Sequence, residues 1–123
     1  MTINIGGTHN FDFGRMRLNL AQHGNSAPDG TVLGPACGFV VEIDGATAYH
    51  PGDTRLTMDM RLLAEVEEID VALMSIGDNF TMGIPDVIRA VEFVQPRMPM
   101  PIRYNTFEIM EADPIGSVRI CPF

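Results

Sequence analysis

Polar residues that could bind a metal lie in three turns, each of which follows an apolar segment. These turns are at His23, at residues 50–54 (His-Pro-Gly-Asp-Thr) and at residues 77–79 (Gly-Asp-Asn). Proteins with α/β sheets usually place their sites just beyond strand ends. Imidazole and carboxylate groups are ligands for zinc and related metals. His23 and Asp53 are therefore candidate metal ligands.

Each candidate also has a purely structural interpretation. His23 could be a hydrogen-bonded loop residue, since no metal-ligand partner lies at a regular spacing from it. Asp53 could cap a following helix or form an Asx turn, which are common roles for aspartate. His50 could equally be a packed residue at a strand end. Spacing alone leaves these alternatives open.

Alternating apolar and polar residues predict strands in the first third of the chain, around Ile3–Ile5 and Met16–Leu20. Residues 24–36 contain three glycines and two prolines without periodicity, which predicts a loop. After it, an apolar run over 37–43, the pair Asp44-Gly45 and a second run over 46–49 predict a β-hairpin.

The rest of the chain alternates helical and strand patterns. Helical spacing of apolar residues predicts a helix over 56–67, followed by a buried strand over 71–76. A second helix is predicted to begin at Pro85 and to stop before Pro96. Prolines at 99 and 101 make the segment 98–102 an edge strand or irregular. The order indicates an α/β fold.

Composition indicates one soluble domain over residues 1–123. Sixteen carboxylates against eight basic side chains give a net charge of -8, which argues against nucleic acid and anionic membrane surfaces as partners. No apolar run reaches the roughly 20 residues of a membrane span, so a cytoplasmic location is predicted. Cys37 and Cys121 form no C-x-x-C pair and are expected to be reduced thiols.

Five short motifs, in order, resemble the second half of a known family. They are Asn4–Thr8 (NIGGT), Phe11–Gly14 (FDFG), Tyr49–Thr54 (YHPGDT), Ile76–Gly83 (IGDNFTMG) and Tyr104–Phe107 (YNTF). Over residues 4 to about 114 the chain is similar to small metal-dependent hydrolases of the metallo-β-lactamase superfamily. Within that superfamily it resembles the branch of the ascorbate-phosphate lactonases.

This resemblance implies half of an αββα sandwich, built as one mixed β-sheet covered on one face by two helices. Such hydrolases hold two metals at one edge of the sandwich. Their first half supplies a His-x-His-x-Asp-His cluster, which this sequence does not contain. The chain is thus expected to start after that cluster and to stop before a further helix.

Two metal ligands of the family's second half have counterparts here. The family's histidine corresponds to His23, and its bridging aspartate corresponds to Asp53. The family's last histidine ligand corresponds to Arg103, whose guanidinium has no lone pair for a metal. We therefore expect no catalytic residue, no firmly bound cofactor, and at most weak binding of zinc or manganese. We expect Arg103 to lie near Asp53 or His23 and to pair with the Asp53 carboxylate. A small-molecule ligand would contact Arg103, Asp78, Asn79, Tyr104 and Asn105.

Three functions follow from these expectations. The first is a non-catalytic, self-associating remnant of a metal-dependent hydrolase. The second is a hydrolase whose site is completed by another chain, and the third is a binder of small anions through Arg103. Because two helices can cover one sheet face, the open face is predicted to form a homodimer that buries more than ~2,000 Å².

Overall fold

The computed structural model of the chain describes residues 2–103, which form one six-stranded sheet and two helices. The elements are β1 (Thr8–Phe11), β2 (Gly14–Leu20), β3 (Cys37–Ile43), β4 (Ala46–His50), α1 (Asp59–Val66), β5 (Val71–Ser75), α2 (Ile84–Val94) and β6 (Met98–Ile102).

The strands lie in the sheet in the order in which they occur in the chain. The first four are joined by antiparallel pairing, whereas β5 and β6 run parallel to β4 and are reached through α1 and α2. Two successive antiparallel pairings give β2 the same direction as β4. The strands β2, β4, β5 and β6 therefore all end at one edge of the sheet, which we call the carboxyl edge.

The hairpin between β3 and β4 is formed as predicted. Asp44 and Gly45 both have positive φ angles, 51° and 79°. That is the backbone of a type I′ turn, whose twist matches that of the two flanking strands. The turn sets the register in which Val40 lies opposite Tyr49, and both side chains are buried.

The hydrophobic core lies between one face of the sheet and the two helices. The sheet contributes the buried residues Val40, Tyr49, Ala72 and Met74, and the helices contribute Met60, Leu63, Val87, Ala90, Val91 and Val94. The prediction of a mixed sheet covered on one face by two helices is confirmed. That all of residues 1–123 form one domain stays a prediction.

Two predicted element positions are wrong. Residues 3–5 are not a strand, because Gly6 has a φ of 84° and the Gly7 N–H donates to Asn4 O, so the chain turns before β1. The first helix begins at Asp59 and not at residue 56. Its apolar spacing extends into a preceding segment that is not helical. Asp53 therefore lies too far from the helix to act as its cap.

The prolines of β6 explain why this segment can be a strand. Met98 N donates to Asp70 O, and Ile76 N donates to Ile102 O, so the even-numbered residues of β6 face β5. Pro99 and Pro101 alternate with these residues, so the positions at which proline lacks an N–H donor face away from β5. Such prolines are tolerated in the outermost strand of a sheet, and they block the addition of another strand beside it.

A charged cluster ties the end of α1 to β2. The Arg15 guanidinium donates to both carboxylate oxygens of Glu67, at 2.9 and 2.7 Å, and Arg17 adds a longer contact of 3.4 Å. The Glu67 side chain is only 6% exposed, so its charge depends on these partners. The Arg15 bonds, ahead of the other causes, hold the pKa of Glu67 below its ordinary range.

Replacing Glu67 by Gln should lower the free energy of unfolding at pH 7 by about 2 kcal/mol, because charge-assisted hydrogen bonds are lost. The lowered pKa means that this stabilisation is present above the ordinary glutamate pKa of about 4.3 and is lost as the pH falls through the folded-state value. Urea unfolding of the wild type and of Glu67→Gln at pH 7 and pH 3 measures the difference. Glu65→Gln, at an exposed position on the same helix, is the control.

Within the described residues, no helix is long and apolar enough to cross a membrane.

Candidate functional site

The candidate site lies at the carboxyl edge, where four strands end side by side. His23 follows β2, the turn 50–54 begins at the last residue of β4, Asp78 and Asn79 follow β5, and Arg103 follows β6. From the sequence alone, each of these residues is known only to follow a different apolar segment. The directions of the strands bring the ends of those segments to the same edge of the sheet.

The turn after β4 is held close against β3 and β5. Gly52 has a φ of 72°, and a Cβ atom at that position would lie 2.6 Å from Cys37 O. The Ser75 hydroxyl donates to Gly52 O at 3.1 Å. A glycine is required here because of both the backbone angle and the close approach of β3. These contacts place Asp53 at the edge.

Thr54 links this turn to the segment that carries His23. Gln22 N donates to Thr54 Oγ1 at 2.9 Å, and Arg55 N donates to Gln22 O at 3.3 Å. The two predicted metal ligands therefore lie on segments that contact each other. His23 itself is exposed, and its Nδ1 lies 2.6 Å from Gly24 O, so this nitrogen carries the hydrogen.

Arg103 forms an ion pair with Asp53, as predicted. One guanidinium nitrogen, Nη1, lies 2.5 Å from each carboxylate oxygen of Asp53. The side chains are 46% and 26% exposed, so the pair lies at the protein surface. Arg103 has a φ of 59°, a backbone conformation that few non-glycine residues adopt.

His50 is the residue of this edge that the sequence-based site prediction left out. Its ring stacks on Phe39 with centroids 5.3 Å apart, and its Nδ1 accepts the Gly52 N–H at 2.9 Å. Burial is the main cause that lowers the pKa of His50, and Arg103 lowers it further while Asp53 opposes the shift. The position directly after a strand and before Pro51 was the available signal. The packed-residue interpretation of His50 fits these contacts.

The loop after β5 holds Asp78 and Asn79, both of which are exposed. Asp78 has a φ of 43°, and its Oδ1 would lie 2.8 Å from a Cβ added at Gly83, which precedes α2. Within residues 2–103, no recorded hydrogen bond joins either residue to Asp53 or Arg103. Tyr104 and Asn105 lie outside the described residues. The ligand-binding role of this set stays a prediction.

The described residues by themselves do not form a metal site. Both oxygens of Asp53 already accept hydrogen bonds from a cation, and an Arg beside a ligand position repels a metal ion. Over residues 2–103 there is no group of three or more His, Cys, Asp or Glu side chains that could hold one. A structural or catalytic zinc needs at least three protein ligands.

The fold is one mixed sheet with helices on one face and a charged site where its strands end. A family model described as a beta-lactamase superfamily domain matches residues 2–103. The chain belongs to the metallo-β-lactamase superfamily, as its motifs indicated.

Individual relatives agree with this assignment. A UPF0173 metal-dependent hydrolase of Natranaerobius thermophilus is 49% identical over 111 residues, which are 90% of this chain and 48% of the relative. One of Alkaliphilus metalliredigens is 49% identical over 117 residues, 92% of this chain and 52% of the relative. Igni18, a metallo hydrolase from Ignicoccus hospitalis, superposes with a TM-score of 0.86 at 32% identity, covering 98% of this chain and 52% of Igni18. The chain thus spans about half the length of these relatives.

The stability of the protein should depend on the protonation of His50. Because its pKa is lowered in the folded state, the unfolded chain binds the proton more readily, and stability falls as the pH drops below about 6.5. Protonation of Nδ1 would also remove the acceptor for Gly52 N–H. His50→Asn offers an acceptor that does not titrate.

Thermal midpoints between pH 8 and pH 5.5 test this expectation. The wild type should lose more stability on acidification than His50→Asn, and the two should differ least at pH 8. Parallel curves over the whole range would show that His50 does not contribute.

Proposed function

We propose that this chain is a non-catalytic member of the metallo-β-lactamase superfamily, in which an Arg–Asp ion pair stands where relatives bind metal. The observation that supports the proposal is the contact of the Arg103 guanidinium with both carboxylate oxygens of Asp53. Asp53 is the residue that matches the family's bridging aspartate. Its carboxylate is therefore committed to a cation from the chain itself.

A permanent side-chain cation can replace a metal as the counter-charge of Asp53, but it cannot replace its chemistry. Guanidinium neither accepts a water molecule as a ligand nor lowers the pKa of a coordinated water to the neutral range. Hydrolysis by this superfamily's chemistry needs such a water. The ion pair thus preserves the charge balance of the edge without providing a nucleophile.

The alternative is a hydrolase whose site is completed by another chain. Two observations favour it: relatives with 49% identity are named metal-dependent hydrolases, and His23 and Asp53 lie on contacting segments at one edge. In that case Arg103 would have to leave Asp53 when the second chain binds. A small anionic ligand of Arg103 is the third candidate, favoured by the 46% exposure of its side chain.

Metal content tests whether this chain binds metal by itself. After dialysis against a buffer with a trace of zinc or manganese, the purified chain should hold well under one equivalent of either metal by elemental analysis. It should not hydrolyse lactone, phosphodiester or β-lactam substrates. One tightly held equivalent would contradict the proposal.

Two substitutions at position 103 sharpen the measurement. Arg103→His removes the cation and restores an imidazole, and histidine is among the residues enriched at positive φ, so the backbone should accept it. Arg103→Gln removes the cation without restoring a histidine. If the arginine excludes metal, Arg103→His should bind zinc more tightly than both Arg103→Gln and the wild type in isothermal titration. Equal affinity in all three would show that Arg103 is not what keeps the metal out.

The predicted cytoplasmic location remains part of this proposal and is independent of the ion pair.

A further inference from the structure

We draw no further inference here: the strongest candidate, the cavity of about 330 Å³ between α1 and β2 that is lined by Asn19, Tyr49 and Leu62 among others, carries none, because nothing in the described residues shows what covers or fills it.

Discussion

The two helices cover only one face of the sheet, and the rest of this structure depends on that constraint. Val40, Tyr49, Ala72 and Met74 are buried because α1 and α2 pack over them. The crossovers that carry these helices force β5 and β6 to run parallel to β4. Parallel strands end at the same edge, and the same arrangement leaves the other sheet face without a partner within the described residues. The edge site and the one-sided helix cover are thus two consequences of one topology.

The edge site joins two oppositely charged side chains that follow different strands. The close approach of Gly52 to β3, the hydrogen bond from the Ser75 hydroxyl to Gly52 O and the one from Gln22 N to Thr54 Oγ1 hold the segment that carries Asp53. With the carboxylate held in this way, a neighbouring cation of any kind would stabilise it. Arg103 supplies that cation from the end of β6, and its pairing agrees with the repulsion it would exert on a metal.

Much of the fold could be predicted from local patterns, because the signals were local. The Asp44-Gly45 hairpin, the strand β5 and the limits of α2 depend on turn chemistry and apolar spacing within a few residues. The predicted strand at 3–5 is wrong because Gly6, with its positive φ, turns the chain after only two alternating apolar residues. The start of α1 at Asp59 was missed because apolar spacing alone does not mark the first residue of a helix.

By itself, the sequence determined the family, since this depends on residue identity and order, and it nominated His23, Asp53 and Arg103 as site residues. Only the tertiary structure decided that His50 lies close enough to Asp53 and Arg103 for both charges to act on its pKa. Only it showed which strand faces are buried and that no strand residue on the face away from the helices is Asp, Glu, Lys or Arg. Those properties depend on strand register and direction across separations of 23 to 50 residues. No local pattern carries that information.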